Sequence, residues 1–274
     1  MDPQRPPEAE PSQTDATRMG NAGLKTGSRV RRLRRFWRRI PSAPRCKMCN
    51  SPFGGPGGPV MRLIGKGRWA GNSQYCSGCF KQLYRRREGA EIECTLLFAD
   101  IRGSTKLAES MRATEFRTLL DRFYRTAAEV LIEHEAIVDK FAGDEVIGIF
   151  IPALAGEEHA SQAIDAGLAL LRATGHDTNA PWAPIGIGIN TGEAFVGVVG
   201  TEEHVEFTAL GDNVNVTARL ASAAAGGEIL VTDATARAAG SDSTDRLERR
   251  RLDLRGKSEA TDVFVLTLAG VAAR

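Results

Sequence analysis

The chain has 274 residues, 36 Lys and Arg against 34 Asp and Glu, and 42% hydrophobic content, enough for a buried core with an ordinary soluble surface. Its near-neutral total hides an asymmetry: residues 1–90 hold 19 basic and 5 acidic side chains, a net +14, whereas residues 91–274 hold 17 basic and 29 acidic, a net −12. No run of 18 apolar residues offers a membrane-spanning helix, and the acidic, Pro-rich start MDPQRPPEAEPSQTD lacks the apolar stretch of a secretory signal. Five cysteines, four of them in two CxxC pairs, fit a cytoplasmic chain with a metal or redox site better than a secreted disulfide scaffold.

In chain order, residues 1–28 are poor in large apolar groups and read as a disordered tail. Residues 29–44 form a basic segment. Within it Val30, Leu33, Trp37 and Ile40 recur at helical spacing beside Phe36, seven arginines fill positions 29–40, and Pro41 ends the helix. Three readings stand for this segment: contact with an anionic membrane surface, with nucleic acid, or with the acidic remainder of the chain. Nucleic acid is the least favoured, because the basic total belongs to one part of the chain.

Residues 45–88 form a Cys-rich module. Cys46 and Cys49 are separated from Cys76 and Cys79 by 26 residues, and four thiolates suit a tetrahedral metal site. Zn²⁺ is expected, with an iron–sulfur cluster or a thiol–disulfide switch as alternatives. Arg45, Lys47 and Lys81 flank the knuckles and favour ionised thiols. Cys94, within an apolar run, reads as a small core residue.

Residues 89–270 have an α+β texture. Strands are expected at 92–100, in a hairpin turning at Gly143-Asp144, at 184–190, 193–200, 204–209, 228–231, 248–254 and 262–267. Helices are expected at 114–134, 157–173 and 211–224. This βαββαβ order predicts a ferredoxin-like sheet with helices on one face. Asp100 ends the first strand and Asp144 sits in the hairpin turn, so pairing of these strands brings two carboxylates together, an arrangement suited to Mg²⁺. Arg102-Gly103-Ser104-Thr105 offers backbone N–H groups to a polyphosphate. Asn215 and Arg219, at i and i+4, project from one helical face, where Arg can neutralise charge on a phosphoryl group.

The segments LFADIRGST, DKFAGDEV, INTGEAFVGVVG, TALGDNVNVTARL and DLRGKSEATDVFVL, in this order, resemble the catalytic domain of the class III nucleotidyl cyclases. The resemblance implies conversion of ATP to 3′,5′-cyclic AMP and pyrophosphate by attack of the ribose 3′-OH on the α-phosphate, in intracellular signalling. It implies two Mg²⁺ or Mn²⁺ ions held by Asp100, Asp144 and the Ile101 carbonyl, with Asn215 and Arg219 orienting ribose and stabilising the transition state. Residues 102–105 match the triphosphate cradle, with Lys257, or Arg255 nearby, reaching the terminal phosphates. Lys140 matches the adenine-reading lysine, and Thr208 stands where aspartate is commoner, as in a threonine-containing subset of adenylyl cyclases. It also implies a homodimer whose two sites lie across the interface. Guanylate cyclase, and a degenerate domain that only binds nucleotide, are the alternatives. AGDEV resembles the diguanylate cyclase signature as well, but that family has no place for Asn215 and Arg219. The expected location is cytoplasmic, with peripheral membrane attachment through 29–40 as an option.

Overall fold

The computed structural model describes residues 32–42, 44–46, 48–68, 75–79, 81, 89–178, 180–200, 205–240, 248–253 and 260–272. The tail at 1–28 and the basic pair Arg255 and Lys257 lie outside the described residues.

Short helical segments, among them α1 (32–38) and α2 (Gly57–Leu63), precede the strand β1 (Gly89–Ile101). The short helix α3 (Ser104–Ser110) and the long helix α4 (Ala113–Glu133) lead to the hairpin β2 (Ile137–Ala142) and β3 (Glu145–Phe150). Helix α5 (His159–Ala173), β4 (Ile185–Gly200) and β5 (Val205–Leu210) follow. The chain then forms α6 (Asp212–Ala223), β6 (Ile229–Thr232), α7 (Asp233–Ala238), β7 (Glu248–Leu252) and β8 (Thr261–Leu266). Among the described residues eight strands form one sheet in the order β2-β3-β1-β4-β6-β8-β7, with β5 on the far half of β4. The β2-β3-β1-β4 portion is antiparallel throughout, as a ferredoxin-like βαββαβ unit requires.

Alternation along β1 decides what each face buries. Leu97, Ala99 and Ile101 point to a core shared with Phe123, Ala127 and Leu131 of α4 and with Ala163, Ala166 and Leu170 of α5. Helix α4 starts on a capping box, with Arg112 N–H donating to Glu115 at 3.1 Å. Cys94, Leu96 and Phe98 point the other way, into a second cluster with Cys46, Cys49, Tyr75, Cys76, Ile137, Ile149 and Phe207. The second face of the sheet is therefore covered, by the Cys-rich segment and by α6.

A buried ion pair fixes that cover. Arg34 of α1 is fully buried and donates to Glu135 at 3.3 Å, to the Met48 carbonyl at 2.6 Å and to the Ala136 carbonyl at 2.8 Å. Arg38 reaches the Glu133 carbonyl at 2.7 Å. Arg45 donates to the carbonyls of Trp37, Ile40 and Asn50, so it braces the first knuckle's backbone.

One element departs from expectation. The turn-forming run Asn190-Thr191-Gly192 predicts a break between two strands, yet β4 passes through it unbroken. Its polar side chains find partners inside the sheet: Asn190 donates to Asn213 at 2.9 Å and accepts from Thr232 at 2.7 Å. Thr191 meets Thr95, which also meets His159, each at 2.8 Å. Satisfied this way, residues that favour turns lose the reason to make one.

His176 ties the start of β4 to the end of α5, its Nε2 accepting from Ile185 N–H at 3.1 Å. Burial holds this imidazole below its ordinary pKa. The unfolded chain then binds more protons below about pH 6.5, so this contribution is full above that value and lost as pH falls through it. Protonation also removes the acceptor, at a cost of about 1–3 kcal/mol. The melting temperature of His176→Gln, which keeps an acceptor, should therefore fall less than that of the parent between pH 7 and pH 5. Parallel curves for the two proteins would discard this role.

Candidate active site

Asp100 is the next-to-last residue of β1 and pairs with Glu145, the first residue of β3, so the hairpin tip lies against the strand end. Ile101 N–H donates to the Asp144 carbonyl at 3.3 Å. Gly143 supplies the positive φ of 63° that the two-residue turn needs. Tyr124 of α4 braces this tip: its hydroxyl donates to the Gly143 carbonyl and its ring stacks on Phe141 at 4.5 Å. Nothing in the sequence marks Tyr124, because it reads as one more aromatic on a helical face.

The two carboxyl groups lie close enough to perturb each other. Burial, then the hydrogen bond with Asp144, push the pKa of Asp100 up to about 7, against the opposing charge of Arg102. Asp144 lies below its usual range: burial would raise it, but hydrogen bonds from Asp100 and Ser104 outweigh that. One Asp100 oxygen accepts from Arg102, while the other, Oδ1, is buried without a partner. A pair of neighbouring carboxyl groups with one buried, unpartnered oxygen fits a divalent cation held between them. The Ile101 backbone lies beside it, at the end of β1.

Arg102 also donates to the Ser222 carbonyl at 3.0 Å, tying the strand end to the end of α6. Gly103, with φ of 70°, turns the chain into α3, and Ser104 and Thr105 form its first turn. Along α6 the buried positions are Asn213, Val216, Thr217, Leu220 and Ala221. Asn215 is exposed and Arg219 half-buried, both off that packed face. Asn213, which lies in the TALGDNVNVTARL motif but received no role from the sequence, anchors the helix by donating to the carbonyls of Cys94 and Gly192 at 3.2 and 2.8 Å.

Lys140 and Thr208 come from β2 and β5. Between the pairs Val138–Gly148 and Phe141–Val146 the register slips, so Asp139 and Lys140 stand opposite Ile147 alone. This bulge leaves Lys140 exposed and Asp139 buried. Thr208 is buried, and its hydroxyl donates to Asp139 at 2.7 Å. Tyr75 of the Cys-rich segment stands next door, its hydroxyl accepting from Phe207 N–H at 3.3 Å.

The Cys46, Cys49, Cys76 and Cys79 sulfurs all lie within 4.8 Å of one another. The Cys49–Cys76 separation is 3.7 Å. Four sulfurs about 2.3 Å from one central ion in a tetrahedron would stand about 3.8 Å apart. Cys46 N–H and Cys76 N–H help shape the loops, the latter donating to Cys46 Sγ at 3.3 Å. Contacts among the four thiols push Cys46 and Cys79 up and Cys49 and Cys76 down from the ordinary thiol range. Buried Arg34 adds a nearby positive charge that favours the thiolates of Cys49 and Cys46. Cys94 stays apart from this set, a buried thiol pushed up to about 12 by burial.

Comparison with known proteins places this geometry. Residues 88–267 match the family described as "Adenylate and Guanylate cyclase catalytic domain". A terminal-differentiation-specific adenylate cyclase of Dictyostelium discoideum is 32% identical over 179 residues, 62% of this chain and 8% of that protein. The chain spans less than a quarter of the length of the curated relatives it matches. Among solved structures, the guanylyl cyclase Cya2 is 28% identical with a TM-score of 0.57, covering 65% of this chain and 92% of that one. The adenylyl cyclase CyaB from P. aeruginosa gives the same identity and TM-score over 65% of this chain and 96% of its own. Among the described residues no helix is long and apolar enough to cross a membrane.

Proposed function

We propose, from the premise that this chain belongs to the adenylate and guanylate cyclase catalytic-domain family, that it is an adenylate cyclase of the threonine-containing kind, forming 3′,5′-cyclic AMP and pyrophosphate from ATP. The observation that carries the cyclase reading is the meeting of Asp100 and Asp144 around an orphaned carboxylate oxygen. Those two carboxylates and the Ile101 carbonyl would hold two Mg²⁺ or Mn²⁺ ions, which when bound polarise phosphate oxygens and favour the ionised ribose hydroxyl.

The remaining roles fall to this chain's own groups. Arg219 donates to the phosphate as negative charge shifts during transfer, and Asn215, one helical turn away, orients the ribose. Gly103, Ser104 and Thr105 present N–H and hydroxyl donors to the polyphosphate, with Lys257 as a further cation from the C-terminal segment. Lys140, on the exposed side of the bulge, donates to a ring nitrogen acceptor of adenine; guanine presents N1–H there and would need an acceptor. Thr208 accepts from the adenine amino group.

Asn215 and Arg219 project from α6 while the carboxylate pair lies at the end of β1, so we assign the working site to a two-fold dimer in which each protomer completes the other's pocket. Exposed Phe141 and Leu210 flank the base-reading residues, and such apolar groups belong at an interface. For the four-cysteine cluster we propose one Zn²⁺ per chain, because sulfurs within 4.8 Å of one another surround a single ion, whereas an iron–sulfur cluster inserts several atoms between its ligands. The domain plan is then a tail over 1–28, a basic segment over 29–44 docked on the enzyme through Arg34 and Arg38, a zinc module over 45–88 and the cyclase domain over 89–270. Intramolecular docking, rather than an anionic membrane, is favoured by the ion pair with Glu135.

Purified protein incubated with Mn²⁺ and, separately, ATP and GTP decides the reading. Cyclic AMP from ATP is the expected product. Preferential formation of cyclic GMP from GTP would transfer the assignment to guanylate cyclase, and no product with retained nucleotide binding would assign a binding module.

A further inference from the structure

We infer that Asp139 is a positioning residue for base choice: it accepts the single proton of the Thr208 hydroxyl and so presents that oxygen to the base as an acceptor. The inference rests on the ATP reading of the same pocket. A threonine hydroxyl has one donor and two acceptor lone pairs, and by itself it rotates to suit either an amine or a carbonyl. That freedom makes it a poor discriminator between adenine, which offers an exocyclic amine at C6, and guanine, which offers a carbonyl there.

Here the rotor is fixed from behind. Thr208 Oγ1 donates to Asp139 Oδ2 at 2.7 Å, both residues are at least 95% buried, and an ionised carboxylate can only accept. The negative charge of Asp139 is also felt at Tyr75, whose phenol is pushed up first by burial and in addition by that carboxylate. With its proton committed inward, the Thr208 oxygen has only lone pairs left to offer. An amine satisfies them; a carbonyl oxygen set against them repels and loses its own partner, a mismatch that sites built on hydrogen bonds reject strongly. The bulge in β2 places the carboxylate and the cation on adjacent residues: Asp139 faces inward to Thr208 and Lys140 outward, so one backbone irregularity sets both contacts.

The test is the ratio of kcat/KM for ATP to that for GTP, measured on the full chain with Mn²⁺. Asp139→Asn can turn its amide NH₂ toward Thr208 and so frees or reverses the hydroxyl. It should lower the ATP:GTP ratio about tenfold or more, whereas Asp139→Glu, which keeps an acceptor, should hold the ratio nearer the parent. In a Thr208→Ala background Asp139→Asn should leave the ratio unchanged, because the rotor is gone. A ratio cancels the concentration of active sites, so partial loss of folding does not blur it, and displacement of ribose-labelled fluorescent ATP by ATP or GTP reads the same preference in any variant with slow turnover. Equal losses toward both nucleotides in Asp139→Asn, with the parent preferring ATP, would make Asp139 merely structural and overturn this inference alone. A parent that prefers GTP would overturn the ATP reading and this inference together.

Discussion

Chains carrying Asp144→Ala and chains carrying Arg219→Ala should each lose about 10²–10³-fold in cyclase activity, as expected when a group that stabilises transition-state charge is removed. An equal mixture of the two should recover about a quarter of the parent activity. Half of randomly assorted dimers are mixed, and each mixed dimer rebuilds one of its two sites while doubling the damage in the other. The recovery depends on the carboxylate pair and the α6 pair coming from different protomers. A mixture as inactive as its components, with mixed dimers demonstrated by differential tagging, would place all these groups within one chain's site and end the shared-pocket account.

Loss of the ion from the four-cysteine cluster should be the largest stability effect in the molecule. Structural zinc contributes on the order of 10 kcal/mol to the folding of small modules, and this module does not stand apart from the catalytic sheet. Cys46, Cys49 and Cys76 share one apolar cluster with Leu96, Phe98, Ile137 and Ile149. Cys76→Ser, or treatment with a strong chelator, should therefore lower the melting temperature of the entire chain by about 10 °C or more, at about 2–4 °C per kcal/mol for a domain of this size. Elemental analysis should find one zinc per chain in the parent. A coloured protein with several irons per chain would replace zinc by a cluster, and an unchanged melting curve after metal loss would remove the structural role.

Much of the catalytic half could be read from the chain because its signals are local. Asp100 follows an unbroken apolar run and Asp144 follows a glycine between two others, so strand end and turn are both legible, and their meeting needs only that β1 pair with β3. What escaped is what depends on remote partners. Asn190-Thr191-Gly192 reads as a turn until Asn213, Thr232 and Thr95 satisfy it within the sheet. For the arginine-rich helix the charge asymmetry offers contact with the acidic remainder of the chain beside a membrane or nucleic acid, but only the fold shows that Arg34 is enclosed against a glutamate 101 residues along the chain. Asp139 is hidden for a related reason. A carboxylate between Val138 and Lys140 looks like an ordinary polar position in an alternating strand, and only the bulge and the arrival of β5 give it a partner.

Tyr75 and Cys76 are consecutive residues with different allegiances. The tyrosine hydroxyl accepts the Phe207 N–H, one position from Thr208, while the cysteine sulfur belongs to the four-cysteine cluster. A single peptide unit thus spans from the thiol cluster to the strand that carries Thr208, so a displacement of Cys76 would be handed on to β5 within one residue.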